Sequence, residues 1–275
     1  LIAFPNCKIN LGLYIKSKRL DGYHDIETIF IPVSLCDVLE IVAANDSEPI
    51  PFFQSTGLPI DSDPHVNLCS KAYHLVKSDF PDLPDINIHL HKMIPMGAGL
   101  GGGSSDATSM LQLLNKKFQL QLSIEQLAVY ALQLGSDCPF FLYNEPCYAT
   151  GRGEGLTPFA VDLTAYQLLL VCPDIHISTA WAFSRITPAH EYADLRSSAK
   201  NPVAHWKTSI RNQFEEAVYA EYPELRELKQ TLYGAGAVYA SMSGSGSAHY
   251  ALFEGSIPNI GLPATFRVFH CKPGK

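Results

Sequence analysis

No apolar run in this sequence reaches the roughly 18 residues that crossing a bilayer requires, and no signal peptide opens it. The expectation is a soluble, cytoplasmic protein with no membrane partner. Positive charge is scarce as well: 20 Lys and Arg stand against 27 Asp and Glu, a net charge of −7. That argues against a nucleic-acid partner, which calls for a basic surface. It leaves room for a small anionic ligand, because one or two well-placed donors hold a phosphate on an acidic protein. Cysteine pairs are missing too. The seven cysteines are scattered, odd in number and without a C-x-x-C spacing; this speaks against a zinc site or a disulfide framework and for buried, reduced thiols. There is no internal repeat and no low-complexity tract.

What is present is ample apolar material, 47% of 275 residues, enough for a continuous core and for two modest domains. Ile9, Leu11, Leu13 and Ile15 alternate, which predicts a strand with Lys8, Asn10 and Gly12 on its other face. A polar turn over 17–22 leads to a second strand over 23–33, a hairpin. Residues 44–65, rich in Pro, Asp and Ser, read as loop or short edge structure. A helix follows over 67–76, then a strand from the alternation of Ile86, Ile88 and Leu90. Ala107, Met110, Leu111 and Leu114 recur at helical spacing. Ser123 through Gln126 form a capping box for a further helix, with Gly135 as its C′ residue and Pro139 blocking continuation. The stretch 144–158 is the expected domain boundary, giving domains 1–155 and 156–275. Beyond it a strand over 166–172, helices over 178–186, 208–220 and 224–232, and strands over 238–242 and 248–253 complete an α+β pattern.

The strand ending near residue 90 runs into Pro95-Met96-Gly97-Ala98-Gly99-Leu100-Gly101-Gly102-Gly103-Ser104-Ser105-Asp106 and then a helix. Strand, glycine-rich loop and helix start make an anion site: glycines admit a phosphate closely, and helix N-termini offer unpaired N–H groups. Ser104 and Ser105 add hydroxyl donors or an oxygen for Mg²⁺. The alternative is a tight structural turn. The P-loop pattern fails, because no lysine lies in this loop. Gly97, Gly99 and Gly102 do match the dinucleotide pattern, but the preceding strand alternates, Pro95 interrupts the join, and Leu122 stands where an acid belongs. A second glycine-serine loop, Ser243-Gly244-Ser245-Gly246-Ser247, sits between two predicted strands. Two such loops and a lysine near the N-terminus suggest a polyphosphate site composed of distant segments.

These segments resemble the three motifs of the GHMP kinases: Pro5-Asn6-Cys7-Lys8-Ile9-Asn10-Leu11, then 95–107, then 243–248. The likeness narrows to the diphosphocytidyl-methylerythritol kinase family through Asp21-Gly22-Tyr23-His24, the run 99–107, Gly135-Ser136-Asp137-Cys138-Pro139-Phe140-Phe141 and Thr150-Gly151-Arg152-Gly153-Glu154. Cys7 and Cys138 depart from the family's usual small residues without touching a polar role.

The resemblance implies a two-domain fold, a ribosomal protein S5 domain 2-like N-terminal domain and a ferredoxin-like α/β-sandwich C-terminal domain. It implies an ATP-dependent transferase of the non-mevalonate route to isoprenoids and terpenoids, phosphorylating the 2-hydroxyl of a diphosphocytidyl-methylerythritol, with Mg²⁺ arriving on ATP. Lys8 and Asp137 become the catalytic residues, the ammonium keeping the carboxylate ionised and stabilising the alkoxide. Asn67, Lys92, Pro95, Gly97, Gly99, Leu100, Gly101, Gly102, Gly103, Ser104 and Ser105 fall to the nucleotide. Asn10, Tyr23, His24, Phe183, Gly244 and Ser245, with Asp137, fall to the substrate, the first three as readers of the cytosine and Phe183 as the far side of its stack. Taken from the residues alone, Asp137 also reads as a solvated turn cap, Lys8 as an exposed strand-edge lysine and His24 as a surface histidine. His89 and His91 share a strand face but lack a third ligand, so no metal site is expected. Another GHMP kinase, of mevalonate or homoserine type, and a silent nucleotide-binding regulator on the same fold are the alternatives. A monomer or weak homodimer is expected.

Overall fold

The computed structural model describes residues 1–44, 52–60, 66–187 and 194–274. The chain forms two compact units, each assembled from separate segments. The first comprises Leu1–Cys7, Leu35–Met96 and Gly101–Asn144, the second Lys8–Ser34, Gly97–Leu100 and Glu145–Lys275. A single cut at 155/156 therefore does not describe the contact pattern. The predicted hairpin and the tip of the glycine loop go with the C-terminal segment. The stretch 144–158, read as a boundary, contains the last crossing at 144/145, but most of it is a strand pair.

In the first unit β1 (Ile2–Ala3), β4 (Val38–Ala43), β6 (Ile86–Lys92) and β5 (Phe52–Gly57) lie side by side in that order. β4 is antiparallel to β1 and β6, and β5 is parallel to β6. β5 occupies part of the stretch read as loop; the rest of that stretch lies partly outside the described residues. Ile86, Ile88 and Leu90 of β6 bury against Met110, Leu111 and Leu114 of α2 (Gly102–Phe118) and Val76 of α1 (Leu68–Asp79). The next inward position in this alternation is Lys92, also buried. α3 (Ile124–Leu134) starts on the predicted capping box, with the Ser123 and Gln126 side chains each bonded to the other's backbone N–H. Gly135 ends it, its N–H on the Ala131 carbonyl, but with φ 169° it is extended and supplies no left-handed turn. The helix does not continue through Pro139, which instead sits in the first turn of a new short helix, α4 (Cys138–Tyr143), where its missing N–H costs nothing.

In the second unit β2 (Asn6–Lys18), β3 (His24–Cys36), β7 (Cys147–Thr150) and β8 (Gly155–Pro158) form one sheet, whose two long strands contribute their outer ends to the first unit. Both faces of β2 are buried from residue 6 to 15, polar residues included. The other sheet has the order β10 (Tyr239–Met242), β11 (His249–Glu254), β9 (Tyr166–Cys172) and β12 (Arg267–Cys271), antiparallel throughout. Leu228 and Leu232 of α9 (Pro223–Gly234) pack on Leu169, Val171, Ala240 and Phe253 from this sheet. α5 (Thr179–Ser184) and α6 (Leu195–Ala199) are short. The helix predicted over 208–220 is two, α7 (Trp206–Ser209) and α8 (Phe214–Glu221), because Ile210 turns extended and residues 211–213 pair with Leu13 instead. None of the seven cysteines is in a disulfide. Among the described residues no helix is long and apolar enough to cross a membrane.

Candidate active site

In the second unit the glycine loop and the glycine-serine loop lie backbone to backbone. Gly99 has φ +79°, and a Cβ there would run into the Ser243 carbonyl. A Cβ on Gly244 would come within 3.0 Å of Gly99 Cα. Ser243 Oγ donates to the Gly99 carbonyl at 2.9 Å, and the Ala248 N–H donates to the Ala98 carbonyl at 3.1 Å. Asn212 holds the other side, donating through Nδ2 to the carbonyls of Met242 and Gly244, both at 2.8 Å. Ser245 Oγ lies 3.1 Å from Thr179 Oγ1.

Lys8 sits beside this junction. Its N–H donates to the Leu100 carbonyl at 2.9 Å, and its Nζ lies 3.4 Å from the Gly99 carbonyl and 4.8 Å from the centre of the Phe30 ring. It is 3% exposed, so the exposed strand-edge alternative fails. Asn10 accepts from Lys8 Nζ through Oδ1 at 2.7 Å and donates to Thr28 through Nδ2 at 3.0 Å. Both ends of this amide are committed within the fold, which disagrees with its reading as a cytosine reader.

Farther along the hairpin the His24 ring stacks on Phe183, centroids 4.7 Å apart and planes 17° from parallel. Burial, with some help from the charge of Lys18, lowers the His24 pKa. Tyr23 is exposed, with the Arg152 guanidinium over its ring at 4.8 Å. Phe183 thus faces His24, and Tyr23 faces Arg152; the expected pairing of Tyr23 with Phe183 around a base is not the arrangement here.

In the first unit α2 begins at Gly102 behind Gly101, whose φ of +70° is left-handed. The Ser105 N–H makes the first return bond, to the Gly101 carbonyl at 2.9 Å. The helix start therefore leaves the N–H groups of Gly102, Gly103 and Ser104 without an intrahelical acceptor. Pro95 and Met96 lead into the loop. Lys92 lies beneath it: its ammonium is ion-paired to Asp37 and, at 2.8 Å, to Asp106 of α2. Asp37 also accepts the N–H groups of Met93 and Ile94. Burial pushes the Asp106 carboxyl up to about 7, against the pull of Lys92 and with that of Asp37. Burial opposes the charge on Lys92, but Asp106 and Asp37 outweigh it and raise its pKa. The Lys92 ammonium is engaged inside the fold by these two carboxylates. Asn67 caps α1, accepting the Cys69 N–H at 2.8 Å. Asp137 is half-buried at the start of α4 and makes no capping bond to that helix, so its carboxylate is not a helix cap.

Sequence reasoning passed over Thr28, Asp37, Asp106 and Asn212. The alternation in β6 does put Lys92 on the core face and so calls for a buried acid. Thr28 and Asn212 carry no such signal.

The model of the GHMP kinases N terminal domain matches residues 67–145, and that of the GHMP kinases C terminal domain matches 195–261. A protein of Azobacteroides pseudotrichonymphae named 4-diphosphocytidyl-2-C-methyl-D-erythritol kinase is 53% identical over 95% of this chain and 96% of its own. The chain belongs to the 4-diphosphocytidyl-2-C-methyl-D-erythritol kinase family. A Bacteroides fragilis protein of the same name is 48% identical, over 97% of each chain. A crystal structure of 4-(cytidine 5'-diphospho)-2C-methyl-D-erythritol kinase superposes with a TM-score of 0.82 at 28% identity, covering all of both chains. The two-domain GHMP kinase fold, mixed in helix and sheet, is the fold of this chain. ATP is the phosphate donor of GHMP kinases, and two loops joined through glycine backbone suit that donor.

Proposed function

We propose that this chain transfers the γ-phosphate of ATP to the 2-hydroxyl of 4-diphosphocytidyl-2-C-methyl-D-erythritol. The observation that carries the reading is the buried Lys8 ammonium beside the junction of the two glycine loops. An ammonium held there brings positive charge to the place where the two loops meet, which suits a phosphoryl group in transfer. The backbone N–H groups at the start of α2 hold phosphate oxygens, and Lys8 offsets the charge that develops on the transferring group. The substrate oxygen bonds to the γ-phosphorus as the bond to the bridging oxygen breaks and ADP leaves. Asp137 accepts the hydroxyl proton or orients that hydroxyl.

Among the described residues no three His, Cys, Asp or Glu side chains form a metal cluster. The Mg²⁺ of this reaction would arrive on the nucleotide and take phosphate and water oxygens, with the hydroxyls of residues 104–105 as the protein's contribution. Bound there, Mg²⁺ neutralises phosphate charge. His24, Tyr23 and Phe183 supply the rings and the imidazole suited to a cytosine. Seven thiols without a disulfide suit a reducing cytoplasm.

Asp137→Asn tests the assignment: turnover should be lost while ATP binding, followed by calorimetry, is kept. Full turnover in this variant overturns the mechanism.

A further inference from the structure

Lys8, Asn10 and Thr28 form a line of hydrogen bonds whose direction is fixed at both ends. At one end the Gly12 carbonyl can only accept, so Thr28 Oγ1 donates to it, at 2.5 Å. With its one proton spent there, Thr28 meets Asn10 as an acceptor, and the amide nitrogen donates to it at 3.0 Å. An amide that turns its nitrogen to Thr28 turns its oxygen to Lys8, and Oδ1 accepts from Nζ at 2.7 Å. At the far end the ammonium can only donate. The reversed amide would set its NH₂ against the ammonium and leave two donors facing each other.

Among the described residues, the other hydrogen bonds of Asn10 do not set this orientation as firmly. The Asn10 backbone is pinned at both ends, its N–H on Ser243 Oγ at 3.2 Å and its carbonyl under the Tyr250 hydroxyl at 2.9 Å. Ser243 Oγ stands 3.5 Å from Oδ1 but gives its proton to Gly99 at a better distance. Thr28, Asn10 and Lys8 are 0%, 1% and 3% exposed, so water does not stand in for a lost partner, and in this setting such bonds weigh more than at a surface.

We infer that Thr28 is a positioning residue for phosphoryl transfer, acting through Asn10 to aim the Lys8 ammonium without touching either substrate. The inference rests on the kinase reading above, in which Lys8 is the catalytic cation. It also gives Asn10 a role that accounts for both ends of its amide.

Steady-state kinetics of Thr28→Val and Thr28→Ser, with Lys8→Met beside them, test it. Valine keeps the shape and removes the hydroxyl; serine keeps the hydroxyl. Thr28→Val should lower kcat about 10-fold or more while KM for ATP stays within about twofold, and Thr28→Ser should retain kcat within about threefold. A wild-type kcat in Thr28→Val, or equal losses in the valine and serine variants, overturns the inference while Lys8→Met remains inactive. Wild-type turnover in Lys8→Met would instead remove the reading beneath it, and the inference with it. Should Thr28→Val fail to fold, Thr28→Ala carries the same expectation and the same contrary result.

Discussion

Ser243 donates its hydroxyl to the Gly99 carbonyl at 2.9 Å, the same carbonyl that lies 3.4 Å from Lys8 Nζ. This one oxygen ties the two glycine loops to the buried cation. Their closeness depends on Gly99, which has φ +79° and no room for a Cβ against Ser243. Gly99→Ala should cost about 1–3 kcal/mol from the backbone conformation alone, and more from the collision. The expected outcome is a lower melting temperature and a raised KM for ATP. Gly255→Ala is the control: φ is +73° but the space is open, so it should cost about 1–2 kcal/mol and leave KM for ATP unchanged.

Asp106 gives the fold a pH dependence with a definite sign. Its carboxyl is raised from 3.8 to about 7 by burial, outweighing the pull of Lys92. Between those two values the native state holds a proton that the unfolded chain has released. The stability this group contributes is therefore present at the acid end and lost as pH rises through 7. Asp106→Asn removes the titration and keeps an oxygen for Lys92. Its melting temperature relative to wild type should be higher at pH 8 than at pH 5.5; an equal difference at both pH values would count against the assignment.

Lys92 itself should be indispensable to the fold rather than to phosphate binding. Lys92→Met leaves Asp37 and Asp106 facing each other in the core, and removing one partner of a buried ion pair costs about 3–5 kcal/mol. Denaturant unfolding at neutral pH measures this. A loss of ATP affinity with unchanged stability would point back to a direct role at the nucleotide.

The His24 and Phe183 rings are in contact at 4.7 Å, so a base cannot enter between them as they stand. A cytosine stacks on Phe183 either by displacing His24 or on the ring's other face. Stacking a base on an aromatic ring is worth about 1–3 kcal/mol. Phe183→Ala should therefore raise KM for the diphosphocytidyl substrate by about 5- to 150-fold and leave KM for ATP unaltered. Equal rises in both would mean that the variant damages the fold rather than a base seat.

Much of this was legible in the amino acids. Alternation located β2 and β6, and the serine-glutamine capping box located α3, because these patterns act over a few neighbouring residues. The phase of Ile86, Ile88 and Leu90 even places Lys92 inside. What alternation could not give was its partners, since Asp37 and Asp106 are 55 and 14 residues away. The break between α7 and α8 was hidden for the same reason: residues 211–213 trade helical bonds for bonds to Leu13. At the candidate site the loops announced themselves through glycine, but Thr28 and Asn212 are ordinary polar residues whose work appears only when distant strands meet. Asn10 shows the converse. Its type suggested base recognition, and the fold spends both ends of its amide on Lys8 and Thr28.

Phosphorylation of a diphosphocytidyl alcohol is read most directly from the ADP it produces. ADP release should be followed with ATP and Mg²⁺ alone, then with 4-diphosphocytidyl-2-C-methyl-D-erythritol, mevalonate or homoserine added. Release should rise far above the ATP-only rate with the diphosphocytidyl substrate and stay near that rate with the other two alcohols. Faster turnover of mevalonate or homoserine, or no response to any alcohol, would contradict the proposed function.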